Sequence, residues 1–192
     1  MSMKTVIAFF TLMLASGCLM SSADAPKQWN IEYCSGRKAA KSRLSVARLL
    51  LVEMRAPYGS PEIAVLRADG SVAFDPYNSY AATPVQLVKG LALEALESSG
   101  MFSEVVASGS AVDSDVDVEV AVKRLALDCR VPGERRAIAE VSVRFVKSGK
   151  VAAKALGAGV ADASGADYSA AFSKAATEAF EDAFKRVADE SL

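Results

Sequence analysis

The 192-residue chain contains no histidine. That absence removes Ser-His-Asp and Cys-His catalytic arrangements, together with every zinc site that depends on imidazole. There is no GxGxxG run and no glycine-lysine phosphate loop, so no motif offers to cradle a phosphate. Cysteine is scarce, at three residues, and no Cys-x-x-Cys pair occurs. An excess of one charge is also missing: 22 basic residues against 23 acidic ones leave a formal net charge of −1, which makes no general electrostatic case for nucleic acid. No repeat of about 20–50 residues is present. With neither an acid–base pair nor an activated nucleophile in view, the expectation is a protein that is not an enzyme, with no cofactor and no metal.

What the chain does have begins with an address. Lys4 precedes an apolar run, Thr5 to Leu14, and then Ala15-Ser16-Gly17-Cys18. The run is too short to span a bilayer and reads as the core of a signal peptide. The small residues before Cys18 resemble the lipobox of bacterial lipoprotein precursors, with alanine in place of the commoner leucine. Cys18 would then become the acylated first residue. Ordinary secretion is the alternative, because Ala15-x-Gly17 also suits the usual signal peptidase. Leu19, where an aspartate would imply inner-membrane retention, resembles an outer-membrane destination facing the periplasm. The expected organisation is a signal peptide over 1–17, a lipidated tether over 18–28 and a single domain over 29–192. So short a tether keeps the domain close to its anchor.

Beyond Cys18 stand Cys34 and Cys129, an even pair suited to an oxidising compartment. A bridge between them would close a loop of about 95 residues and stabilise by about 4 kcal/mol; two unpaired thiols are the alternative.

The hydrophobic pattern predicts an α+β fold: a two-layer body in which a mainly antiparallel twisted sheet is covered by two amphipathic helices, about 84–99 and 167–188. The first helix is bounded chemically, by Thr83 and Pro84 at its start, with Gln86 completing a capping box, and by Gly100 at its end. Val88, Leu91, Ala92, Ala95 and Leu96 form its apolar face. The second carries Tyr168, Phe172, Ala175, Ala176, Ala179, Phe180, Ala183 and Val187 on one side, with Asp167 as its cap. Trp29, Ile31 and Tyr33 alternate with Asn30 and Glu32 as a first strand. Ser35 to Arg43 is a basic loop. Leu44 to Met54 reads as a central strand covered on both faces. Ile63–Arg67 and Val72–Phe74 flank an Asp69-Gly70 hairpin turn. Phe102–Ala107 is a short strand. Val116, Val118, Val120 and Val122 alternate with acidic residues, and Leu125 and Leu127 fall out of phase, which predicts a bulge near Lys123–Arg124. Ala137 to Phe145 is its partner, and Val151–Ala161 ends the sheet with Gly157 and Gly159, which predict close approach by a helix.

Asp113, Asp115, Asp117 and Glu119 recur at two-residue spacing and share a strand face. Such a row attracts a cation or is simply solvated; the absence of an EF-hand loop pattern favours the solvated reading.

Several of these segments resemble, in order and spacing, the ABC-type transport auxiliary lipoproteins, which accompany Mce-domain lipid transport systems. The residues concerned are Arg55-Ala56-Pro57, the hairpin, Tyr77-Asn78-Ser79-Tyr80-Ala81-Ala82-Thr83-Pro84, and Ser98-Ser99-Gly100-Met101-Phe102-Ser103-Glu104-Val105. Tyr80 stands where the family usually has tryptophan. The resemblance spans about residues 29–187. It implies a non-catalytic, periplasm-facing accessory lipoprotein whose partners are an inner-membrane ABC transporter and its Mce-domain protein. Tyr77, Tyr80 and Pro84 would lie at one end of the first helix as a partner surface, against the alternative of local packing. Leu93, on the polar side of that helix, is the residue to test for homo-oligomerisation. The second functional class is an outer-membrane assembly or structural lipoprotein of another envelope or secretion complex.

Overall fold

The computed structural model describes residues 25–34, 45–165 and 167–189. Cys18, most of the tether and the basic loop Ser35–Arg43 lie outside the described residues. The elements are β1 (Lys27–Trp29), β2 (Val46–Met54), β3 (Glu62–Arg67), β4 (Val72–Tyr80), α1 (Pro84–Ser99), β5 (Glu104–Ala107), β6 (Val116–Cys129), β7 (Arg136–Lys147), β8 (Lys150–Asp162) and α2 (Tyr168–Asp189).

β6 is the axis. One edge pairs with antiparallel β7 along its length, and β7 pairs with antiparallel β8. The other edge is shared by two parallel strands, β2 along the first half and β3 along the second. The changeover falls at the predicted bulge, between Val122 and Arg124. The bulge also resets the side-chain phase, so Leu125 and Leu127 face the same core as Val116, Val118, Val120 and Val122. β5 adds to β2, β4 to β3 and β1 to β4. The α+β, two-layer expectation holds. Most paired residues are antiparallel, but the sheet is mixed, because β1–β4, β2–β5, β2–β6 and β3–β6 run parallel.

Both helices lie on one face. The core between the layers is aromatic at its centre: Phe145 stacks on Phe102 at 5.9 Å and meets Phe184 edge-on at 6.2 Å. α1 keeps its predicted bounds, with Gly100 in the left-handed conformation at φ 67°. Its capping box is not formed, since the Thr83 hydroxyl donates to Gln86 Oε1 at 2.9 Å rather than receiving a backbone N–H. Asp167 caps α2 as expected, accepting the Ala170 N–H at 3.1 Å.

Three strand expectations change. β1 is Lys27–Trp29, not the alternating Trp29–Tyr33 run: it pairs with Asn78–Tyr80 of β4, and residues 30–34 turn onto α2 instead. β4 runs on to Tyr80, and Pro76 is tolerated because β1 covers only its last three residues. β2 is covered on one face only: Leu50 and Leu51 lie 44% and 43% exposed at a bulge after Leu49.

The sheet has two ends. One carries the β3–β4 turn, the β6–β7 turn and the start of α2, where Arg135 Nη1 donates to the Tyr168 hydroxyl at 3.5 Å. The opposite end carries the β7–β8 turn and the starts of β2 and β6. Because β1 runs parallel to β4, the chain enters the fold from the first of these ends.

Candidate docking surface

α2 is built around small residues, and three hydroxyls punctuate it at i, i+4 and i+8: Ser169, Ser173 and Thr177. They line one side of the helix and hold the segment 30–34 against it. Ser169 Oγ donates to the Asn30 carbonyl at 2.6 Å, Ser173 Oγ accepts the Glu32 N–H at 2.9 Å, and Thr177 Oγ1 accepts the Cys34 N–H at 3.1 Å. One turn further on, the Tyr33 hydroxyl donates to Glu181 Oε1 at 3.4 Å. Ile31 is buried beneath this strap. The side chains of a helix thus complete hydrogen bonds that a neighbouring strand would otherwise supply. The Ser-x-x-x-Ser-x-x-x-Thr spacing was the available signal for it.

The four residues expected at a partner surface do not share one. Tyr77 is 73% exposed on β4, whereas Tyr80 is 4% exposed, set edge-on against Phe172 with ring centroids 5.7 Å apart. The Tyr80 hydroxyl finds no hydrogen-bond partner among the described residues, and burial pushes its pKa up. Pro84 is buried at the first position of α1, and Leu93 is half-buried against the main core rather than on an exposed polar face. The end of α1 is therefore a packing feature, and of the four only Tyr77 is available to a partner.

The uncovered face of the sheet is patterned across strands. The acidic row of β6 is matched by arginines on its neighbours: Arg48 lies 3.9 Å from Asp117, and Arg144 lies 2.7 Å from Glu119. Asp115 accepts the Val46 N–H at 2.8 Å. These carboxylates are committed to strand partners, which is the solvated-face reading with its counter-ions made explicit. Beside them runs an apolar row: Phe74 pairs with Ala64, Ala64 packs with Ala126, and Ala126 pairs through Ile138 to Val160. Its middle is buried and its two ends, Phe74 and Val160, are exposed. The Arg124–Glu140 pair at 2.8 Å flanks it.

β8 is an edge strand, and α2 lies on it closely. A Cβ at Gly157 would sit 1.9 Å from the Ala179 carbonyl oxygen, and one at Gly159 would sit 2.0 Å from that of Ala175. The expected close approach is therefore real, and only glycine permits it. It brings Asp182 Oδ2 within 3.3 Å of the Ala158 N–H and Glu178 Oε2 within 3.4 Å of the Val160 N–H. The free edge is thereby partly capped by carboxylates, one of the devices that discourage strand addition.

Between the helices run two depressions that share Tyr33. One, of about 360 Å³, is lined by Ala95, Met101 and Phe184 with Lys185 at its rim; the other, of about 410 Å³, is polar, with Glu32, Gln86 and Glu94. Among the described residues no cluster of three or more acidic or cysteine side chains is placed to hold a metal ion. Cys34 and Cys129 are free thiols, so the bridge is not formed. Cys34 is tied to Thr177, about 14 Å along α2 from Tyr168 at 1.5 Å per residue. Cys129, by contrast, lies at the β6 end near Arg135, which reaches Tyr168 itself.

Neither a family model nor a curated protein sequence matches the chain. Solved structures do resemble it. Protein XCC0632 from Xanthomonas campestris, a DUF330 protein, superposes with a TM-score of 0.60 at 19% identity, covering 81% of this chain and 88% of its own. A second, uncharacterized protein superposes at 0.56 with 12% identity, covering 86% and 97%. These likenesses define the class of fold alone, an α+β sheet-and-helix domain. A PelC dodecamer from Paraburkholderia phytofirmans aligns more loosely, at 0.44 with 13% identity, covering 76% of this chain and 93% of its own.

Proposed function

We propose that the chain is an envelope lipoprotein, acylated at Cys18, whose domain binds protein partners and catalyses nothing. Its role is that of the accessory component of an ABC-type, Mce-associated lipid transport system, anchored in the outer membrane and facing the periplasm. The observation that carries this reading is the lipobox-like Ala15-Ser16-Gly17-Cys18, which stands a few residues before a domain whose motifs follow the auxiliary-lipoprotein order. The fold it shares with a DUF330 protein is compatible with that assignment. The domain's chemistry suits binding. Several carboxylates are spent on cross-strand arginines and on edge amides, and exposed apolar side chains, Phe74 and Val160 among them, stand on the uncovered face of the sheet.

Two measurements test it. Intact mass and radiolabelled palmitate incorporation, for the wild type and Cys18→Ser, should show acylation that the variant loses. Crosslinked membranes should then yield the protein with an Mce-domain protein. A freely soluble, unmodified mature form, or an acylated protein recovered alone, would count decisively against the transport role.

A further inference from the structure

Lys27 is level with Asn78 in the parallel β1–β4 pair, so the chain enters the domain from the direction of Tyr77. From Cys18 to Lys27 the chain spans at most about 30 Å even when fully extended. The tether leaves Lys27 in the direction of the β3–β4 turn, which is also nearer to Lys27 than the β7–β8 turn, so the shortest path from an acyl group on Cys18 brings this end of the sheet toward the bilayer.

At this end β4 presents Val72, Phe74 and Tyr77, which are 39%, 45% and 73% exposed. Val72 and Phe74 pair with Leu66 and Ala64 on the side of the sheet away from both helices, so no described element covers them. The surrounding charges are arranged unevenly. Asp69 accepts the Ser71 N–H at 2.9 Å; Asp75 accepts the Tyr77 N–H at 2.9 Å and the Asn78 side-chain amide at 2.8 Å. Both carboxylates are thus turned onto their own loop. Lys27 and Arg67 are exposed and form no salt bridge among the described residues. Lys27 and Arg67, the latter close enough to Asp69 to help lower its pKa, stand beside an apolar and aromatic edge and complement a phospholipid surface, with phosphate for the cations and the headgroup boundary for an amphipathic tyrosine.

We infer that Val72, Phe74 and Tyr77 form the face on which the domain rests against the membrane its anchor enters, the occupant being the phospholipid interface itself. This rests on acylation of Cys18. The face adds apolar contact to the anchor and sets the sheet's orientation, with the β7–β8 turn directed away from the bilayer.

The chain has a single tryptophan, Trp29, which makes the test direct. The acylated protein is reconstituted in vesicles of phosphatidylethanolamine and phosphatidylglycerol containing doxyl-labelled phosphatidylcholine. Two single-tryptophan forms are compared, Trp29→Phe with Tyr77→Trp and Trp29→Phe with Val151→Trp, the latter reporting the opposite end. Emission at position 77 should shift to the blue and be quenched at least threefold more than emission at 151. Where Trp29→Phe does not fold, Trp29 is retained and its signal subtracted. Equal quenching in a sample that carries the palmitate label overturns the face and leaves the anchor standing. A missing palmitate label overturns the anchor and this inference with it. A response at position 77 to an added protein but not to vesicles also overturns it, in favour of protein docking.

Discussion

Thr177 Oγ1 accepts the backbone N–H of Cys34 at 3.1 Å, one helical turn after Ser173 Oγ accepts that of Glu32 at 2.9 Å. Both hydroxyls are buried in the helix layer, so removing either leaves a strap amide facing an apolar replacement. Ser173→Ala and Thr177→Val should each lower stability by about 1–3 kcal/mol, the cost of an unsatisfied buried donor. Denaturant unfolding measures the loss. Hydrogen exchange should show faster exchange at Glu32 and Cys34 while the β6–β7 amides stay protected, and unchanged exchange at those two positions would refute the strap.

Two glycines should respond to alanine with opposite signs. At Gly157 the new methyl would meet the Ala179 carbonyl at 1.9 Å, and a backbone atom cannot rotate aside. Gly157→Ala should cost about 3 kcal/mol or more, the upper range for overpacking, because α2 must lift from β8. Gly90 lies exposed in the middle of α1 with nothing within 4 Å of an added Cβ. Gly90→Ala should stabilise by about 0.5–1 kcal/mol. Thermal melts of the two variants settle the pair, and a shift in the same direction would contradict this packing.

That contrast also shows what was legible beforehand. Gly157 and Gly159 announced a helix lying on the strand, and Pro84, Gly100 and Asp167 marked helix ends, because each is a local demand on backbone shape or on an orphan N–H. The bulge near Lys123–Arg124 was readable from two hydrophobic phases that could share a core only if one residue were extra. The parallel partners of β2 and β3 were not, since a strand's own pattern does not say which neighbour it takes. Of the two readings of Tyr80, partner surface and local packing, the structure takes the second. The sequence left both open because it does not show that β4 runs three residues past Tyr77 and turns Tyr80 inward against Phe172. The strap on α2 went unread because serine and threonine on a helix signal solvent as readily as a backbone partner.

The carboxylates over the β8 edge should control self-association. Asp182 donates nothing and accepts both the Arg186 guanidinium and the Ala158 N–H; the hydrogen bond from Arg186, above all, holds its pKa below the ordinary 3.8. A carboxylate depressed in the folded state contributes stability that is present above the ordinary aspartate range and is lost as pH falls through the lowered value. Acid should therefore loosen the cap. Glu178→Ala combined with Asp182→Ala should associate at neutral pH through the bared edge, and the wild type only well below pH 4. Sedimentation velocity in detergent reads both; a double variant that stays monomeric across that range would remove the capping role.

Tyr80 carries a hydroxyl that burial has stripped of water without supplying a partner among the described residues. Tyr80→Phe keeps the ring against Phe172 and removes only the desolvated oxygen. Losing an unpaired polar atom is neutral to favourable, so stability should stay level or rise by up to about 1 kcal/mol. A fall of more than 1 kcal/mol on denaturant unfolding would mean that the hydroxyl has a partner after all.

The two thiols of the domain should behave as separate sites. Cys34 is exposed, with its Sγ 3.5 Å from the Glu32 carbonyl, whereas Cys129 is half-buried and burial raises its thiol pKa. A raised pKa leaves less thiolate at neutral pH, and thiolate is the reacting species, so burial and titration slow Cys129 together. Unreduced mature protein, with Cys18 occupied by its acyl group, should titrate for two thiols with a disulfide reagent. One should react at least tenfold faster than the other. Cys34→Ser should abolish the fast phase and Cys129→Ser the slow one, and raising the pH should accelerate the slow phase. A protein that shows no free thiol until it is reduced would instead demand that residues 30–34 leave α2 and reach the far end of β6, and the strap described above would then belong to the reduced form alone.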